Sequence, residues 1–183
     1  GLDYAPDQIV VSTGAKQSLA NVVLSLVNPG DEVILPAPYW VSYEEIVKVA
    51  GGIPVIIPTT INEDYKINPE ALEAAINEKT RLVIYSSPCN PSGSVYSQEE
   101  TAAIADVLRK HDNVFTISDE IYELINFTSR HASLAAEPGM IERVITVNGV
   151  SKGFAMTGWR LGYMGAPKWI AAACTKIQGQ FTS

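Results

Sequence analysis

The chain has 183 residues, 46% of them hydrophobic, with a formal net charge of −7 and a mean hydropathy of +0.09. That length suits one sizeable core, since domains commonly run to ~100–200 residues. The acidic balance, with a pI near 4.8 and no basic run, speaks against a nucleic-acid partner, whose affinity rests on clustered Lys and Arg. No window approaches the ~18 consecutive apolar residues of a membrane span.

In chain order, short β-branched runs alternate with longer segments of helical period, the pattern of βαβ units around a largely parallel sheet. IVVS (residues 9–12) predicts a strand. Thr13 and Gly14 lead from it into a helix whose apolar stripe is Leu19, Val22, Val23, Leu26 and Val27. EVILP (32–36) is a second strand, YWVSYEEIVKVA (39–50) a helix closed by Gly51 and Gly52, and IPVIIP (53–58) a third strand. Asn68 as cap and Pro69 at the first position open the next helix. RLVIYSSP (81–88) reads as a buried strand. Ser97 followed by Glu100 forms a capping box at the head of SQEETAAIADVLRKH. NVFTIS (113–118) and RVITVN (143–148) are two more strands, LGYMGAP (161–167) a seventh, antiparallel one, and KWIAAACTKIQ (168–178) a closing helix. The expected fold is therefore a three-layer α/β/α sandwich with a mostly parallel seven-stranded sheet.

The opening GLDYAPDQ has neither a basic start nor an apolar signal core. Cys89 and Cys174 are too few and too far apart for a metal cluster or a disulfide framework, which predicts buried thiols in a reducing cytoplasm. The chain lacks an initiator methionine and stops just after an amphipathic segment, so it reads as a piece of a longer protein.

The unusual residues fall just after strand ends: Thr13 and Gly14, Pro38 to Trp40, Asn90 and Pro91, Asp119, and Lys152. In open α/β sheets that edge binds ligands. Each residue also has a plain structural explanation. Gly14 serves a tight turn, or opens a helix whose free N–H groups hold an anion. Neither a Walker spacing nor G-x-G-x-x-G is present. Asp119 caps a helix, or holds a cation with Tyr122 on the same side. At ~4 Å and an effective dielectric near ~20, such a pair gains ~4 kcal/mol before desolvation. Trp40 packs in the core, or offers a flat face; Asn90 belongs to an Asn-Pro turn, or donates a hydrogen bond. Lys152 is a snorkelling lysine, or a reactive amine given room by Gly149, Ser151 and Gly153. His111 and His131 read as surface histidines without metal-ligand spacing, and no metal site is expected.

Taken together, GVSKGFAMTGWRLG (149–162), TGAKQ, PYW, NPSG and DEIY, in this order, resemble the class I and II aminotransferases among the fold-type I pyridoxal phosphate enzymes, with wording most similar to the bacterial aspartate aminotransferase subgroup. The resemblance covers essentially the whole chain. It implies a Schiff base between Lys152 and the cofactor aldehyde, with Lys152 later moving the proton. Asp119 would face the protonated ring nitrogen, Tyr122 and Asn90 the ring hydroxyl oxygen, and Trp40 the ring plane. The phosphate would rest on the backbone of Gly14, Ala15 and Lys16, on Ser151 and on Arg160, with the Lys16 side chain directed to solvent. Trp40 and Asn90 would also meet the substrate. A partly desolvated pocket would lower the basicity of Lys152.

The resemblance further implies transamination between an amino acid, taken to be aspartate, and a 2-oxo acid such as 2-oxoglutarate, in a cytoplasmic homodimer when full length. Residues 1–183 would then be the cofactor-binding large domain. The arginine for the substrate α-carboxylate would lie beyond Ser183, and a phosphate-contacting tyrosine of the partner subunit before Gly1, so the isolated chain is expected not to turn over. Gly149 departs from the family pattern, which often carries a phosphate-binding serine there. A lyase or synthase of the same fold, or a non-catalytic aminotransferase-like sensor domain of a transcription regulator, are the alternative readings.

Overall fold

The computed structural model describes residues 1–128 and 130–182. The strands are β1 (Ile9–Thr13), β2 (Glu32–Ala37), β3 (Ile53–Pro58), β4 (Thr80–Ser86), β5 (Phe115–Asp119), β6 (Val144–Gly149) and β7 (Leu161–Gly165). The helices are α1 (Ala15–Leu26), α2 (Ser42–Val49), α3 (Pro69–Ala75), α4 (Gln98–Leu108) and α5 (Lys168–Phe181). One sheet holds all seven strands in the order β1-β7-β6-β5-β4-β2-β3. The pairs from β6 to β3 are parallel, and only β7 runs antiparallel, to both of its neighbours.

Period-two alternation explains the three layers. Val33 and Leu35 of β2, with Leu82 and Ile84 of β4, enter one core with the apolar faces of α1, α2 and α5. Ile34, Val83 and Tyr85 point the other way, into a second core with Leu72 of α3 and with Ile104 and Leu108 of α4. The second helical layer stops short of the β1–β7 edge, so Ile9, Val11, Leu161 and Tyr163 remain exposed.

The local signals act as read. Asn68 accepts from the amide of Ala71 at 2.7 Å, and Ser97 and Glu100 bond reciprocally at 3.2 and 2.7 Å. Two boundaries differ. The helix expected from Tyr39 begins at Ser42, because the chain after Pro38 stays irregular through Trp40, whose carbonyl accepts from the Tyr43 amide at 2.9 Å. The closing helix runs on to Phe181, where the Gln178 side chain ties it to β1 by donating to the Val11 carbonyl at 2.8 Å.

One close approach positions the site. Gly162 of β7 lies so near the first turn of α1 that a Cβ there would overlap the amide nitrogen of Ala15 and the carbonyl carbon of Gly14. Across the β6–β7 pair, Gly162 faces Gly149. A Cβ on Gly149 would sit 2.8 Å from the Leu161 oxygen and 3.0 Å from the Gly162 Cα. The absence of a serine at 149 therefore has a steric reason.

Gly162→Ala should destabilise the full-length protein by about 1–3 kcal/mol, because backbone must shift to admit the methyl. Gly179→Ala is the control: it lies exposed in α5 with open space around it, and should leave stability unchanged or raise it by up to about 1 kcal/mol. Urea unfolding midpoints check the pair.

Candidate active site

β1 is antiparallel to β7, and β7 to β6, so β1 and β6 point the same way. The residues that follow β1, β2, β4, β5 and β6 therefore meet at one edge, joined by those that precede the reversed β7. They enclose a cavity of about 320 Å³. Ala15, Lys16, Trp40, Asn90, Asp119, Tyr122, Ser151, Lys152 and Arg160 all line it. Gly14 lies just behind this wall: a Cβ there would overlap Nη2 of Arg160, and its φ of +82° is one that L side chains avoid.

One end of the cavity is built from α1 and Arg160. Gly14 caps α1, so the amides of Ala15 and Lys16 are first-turn donors without intrahelical acceptors. The Arg160 guanidinium reaches the same corner, where Nη1 donates to the Thr157 carbonyl at 2.9 Å. Among the described residues neither Arg160 nor Lys152 enters an ion pair. Lys152 and Arg160, like Lys16, thus line one cavity without an ion-pair partner among the described side chains.

Asp119 also lines the cavity, only 4% exposed at the end of β5. Its Oδ2 accepts from the phenol of Tyr43 at 2.6 Å, and its Oδ1 from the Ile121 amide at 3.2 Å. Burial pushes its pKa from an ordinary 3.8 up to about 6, against the pull of these two bonds, while the charge of Glu120 pushes the same way as burial. Tyr43 is 2% exposed, and burial together with Asp119 holds its own deprotonation well above the ordinary value of 10.

Sequence reasoning does not single out Tyr43. Its position three residues after Trp40 is the available signal, since that spacing puts both on one side of a helical turn. Their rings meet edge to face, with centroids 5.7 Å apart.

The Lys16 side chain is exposed, with its ammonium 4.8 Å from the centre of the Trp40 ring, whose face attracts a cation. Lys152 is exposed in this chain, as are most residues through Arg160, and its Nζ stands 5.8 Å from the centre of the Tyr122 ring.

His131 is not a free surface histidine: Nε2 bonds the buried Glu120 at 2.8 Å. Burial draws its pKa down, yet Glu120 outweighs that and the net direction is up. Glu120, Glu123 and His131 hold ligand atoms within 4.8 Å of one another, in a hollow apart from the cavity around Asp119. His111 likewise bonds Glu73 at 2.8 Å. The partners lie 38 positions apart for His111 and 11 for His131, out of reach of spacing arguments. Cys174 is buried as expected, while Cys89 is only partly so.

The family model described as aminotransferase class I and II matches residues 1–183. A Petunia hybrida protein named bifunctional aspartate aminotransferase and glutamate/aspartate-prephenate aminotransferase is 55% identical over all of this chain and 38% of its own length. An aspartate/prephenate aminotransferase of Nitrosomonas europaea is 50% identical, with 46% of its length covered. Among solved structures, the aspartate aminotransferase of Rhizobium meliloti superposes with a TM-score of 0.98 at 45% identity, over 100% of this chain and 46% of that one. An aromatic aminotransferase of Pyrococcus horikoshii gives 0.95 at 42%, over 98% and 48%. The chain thus spans less than half the length of these relatives. No described helix is long and apolar enough to cross a membrane. With its sheet order, its strand-edge cavity and this family match over its full length, the chain belongs to the class I and II aminotransferases.

Proposed function

We propose that these residues form the cofactor-binding large domain of a pyridoxal phosphate-dependent aminotransferase, which moves an amino group between an amino acid and a 2-oxo acid. Aspartate and 2-oxoglutarate are the pair we assign to the full-length protein. The observation that carries the reading is the convergence of Lys152, Asp119 and Arg160 on one cavity of about 320 Å³, with Trp40 in its wall.

The donor set fits that cofactor. A buried carboxylate with no cation of its own suits a protonated ring nitrogen. Two first-turn amides, the Ser151 hydroxyl and a guanidinium suit a phosphate. Gly14 keeps the space that the guanidinium needs. Bound pyridoxal phosphate supplies an electron sink for bonds at the substrate α-carbon.

The chain's own part is placement. Lys152 offers the amine for covalent attachment and carries a proton at Nζ. Asp119 keeps a ring nitrogen charged, Trp40 covers a ring face, and Asn90 and Tyr122 hold a ring oxygen. With Gly149 bare, the hydroxyl near the phosphate comes from Ser151. Exposed Val41, Leu124, Phe154 and Trp159 around this edge support a full-length homodimer that covers them and dries the pocket. The assignment of aspartate draws on the names of the Petunia, Nitrosomonas and Rhizobium relatives. The Pyrococcus name points to aromatic donors instead, so substrate choice within the family is not uniform.

Three measurements on the full-length protein test this reading. Borohydride should fix pyridoxal phosphate to Lys152, and Lys152→Ala should lower transamination by about 10³-fold or more; a visible spectrum that borohydride leaves unchanged contradicts the assignment. In a donor screen with 2-oxoglutarate, aspartate should give the highest kcat/KM, and preference for an aromatic amino acid would reassign the substrate.

The third concerns pH. Because the folded pKa of Asp119 lies above its ordinary 3.8, the folded state holds the proton more tightly. The contribution of Asp119 to the stability of the cofactor-free protein is then fully present below pH 3.8 and is lost as pH rises through about 6, about 3 kcal/mol in all. Asp119→Asn should flatten that part of the urea-unfolding profile.

A further inference from the structure

We propose that Tyr43 is a positioning residue of this site: its phenol holds the carboxylate of Asp119 ionised and in one orientation, while its ring edge sets the indole of Trp40, so a single side chain fixes both the charge and the aromatic face offered to a cofactor ring. The inference rests on the cofactor reading above and adds to it a residue outside the expected set.

The geometry is specific. Tyr43 sits in the first turn of α2, buried to 2% exposure, and lines the same cavity as Asp119 and Trp40. Its O–H donates to Oδ2 of Asp119 at 2.6 Å across 76 positions of sequence. Oδ1 is held by the Ile121 amide at 3.2 Å. Each carboxylate oxygen thus has one donor, and both bonds favour the ionised form that burial opposes. The edge-to-face contact with Trp40, at 5.7 Å and 89°, and the bond from the Tyr43 amide to the Trp40 carbonyl at 2.9 Å tie the irregular chain before α2 to the same side chain.

A phenol suits this place because it stays a neutral donor throughout the working range of the site, its own ionisation being pushed far upward by burial and by Asp119. The other titratable groups around the pair are Glu120 beside Asp119, Cys89 near Tyr43, and Lys16, Tyr122, Lys152 and Arg160 on the cavity wall. None of them carries a hydrogen bond to the Asp119 carboxylate in this structure, so the task falls to Tyr43 and a backbone amide.

The test is pyridoxal phosphate binding to full-length protein from pH 5.5 to 8.5, read by visible absorbance, with wild type and Tyr43→Phe compared. Phenylalanine keeps the ring and removes only the donor. Loss of a hydrogen bond to a charged group should move the acid limb of binding upward by about one pH unit. Tyr43→Phe should then bind about fivefold to tenfold more weakly than wild type near pH 6 and nearly as tightly at pH 8.5. Ionisations of the free cofactor and of Lys152 are common to both proteins and cancel in the ratio.

A second comparison guards against a variant that simply folds less well. In an Asp119→Asn background, Tyr43→Phe should leave the pH profile where it is, since no carboxylate remains to be held. An affinity loss equal at every pH, an unmoved limb, or an identical shift in the Asp119→Asn background overturns the role given to Tyr43 while leaving the cofactor reading intact. Wild-type protein that takes up no pyridoxal phosphate and forms no borohydride-stable product at Lys152 overturns both.

Discussion

The contact on which the site depends is between backbones. Gly162 of β7 touches the Gly14–Ala15 turn so closely that no side chain fits between them. That contact seats the first turn of α1 on the one strand that runs against the sheet. Because β7 is reversed, the residue before it, Arg160, arrives at the same edge as the residues that follow β1, β2, β4, β5 and β6. A wholly parallel sheet would have delivered Arg160 to the far edge, away from Lys152. The antiparallel strand and its two facing glycines are thus what bring an amine, a guanidinium and a helix N-terminus to one cavity.

Against this framework Asp119 is held at a cost. A carboxylate 4% exposed, with two hydrogen bonds and no cation beside it, is less favourable ionised than in water. The two cores supply the surplus. Strands β2, β4 and β6 bury apolar residues on both faces, and β5 sets Ile117 against one core with buried Thr116 and Ser118 on its other face, so the central sheet is rigid where the charged groups must be placed. The same physics explains why the charges do not neutralise one another. Lys152 and Arg160 are exposed where they line the cavity, whereas Asp119 is buried in its wall, and no ion pair joins them.

Much of this is legible in the chain. All seven strands and five helices follow from periodicity, caps and glycines, since each of those signals is local: Asn68 and Ser97 bond within three residues of themselves. The edge is legible for a related reason, because residues after strand ends share a side of a parallel sheet whatever its strand order. Contacts between distant segments are not. The Tyr43 to Asp119 bond spans 76 positions, and the partners of His111 and His131 lie 38 and 11 positions away. Lys16 is legible only by its place in a turn, whereas its ammonium is drawn to the face of Trp40.

The segment from Lys152 to Arg160 shows how a sequence can suggest burial without it. Its residues are mostly small or apolar, yet most are exposed. They are held by local backbone bonds instead. The Ala155 amide donates to the Lys152 carbonyl at 3.0 Å, Met156 to Val150 at 3.3 Å, and Trp159 to Met156 at 3.2 Å. Ala155 and Arg160 take left-handed conformations, with φ of +53° and +51°, which cost roughly 1 kcal/mol each outside glycine. A loop that accepts such strain without a core around it must be fixed at both ends. Here β6 fixes one end and β7 the other, through the bond from the Val150 amide to the Leu161 carbonyl at 3.2 Å. The small side chains let the backbone fold back on itself. The lysine and the arginine are then placed by the strands that bracket them rather than by packing of their own.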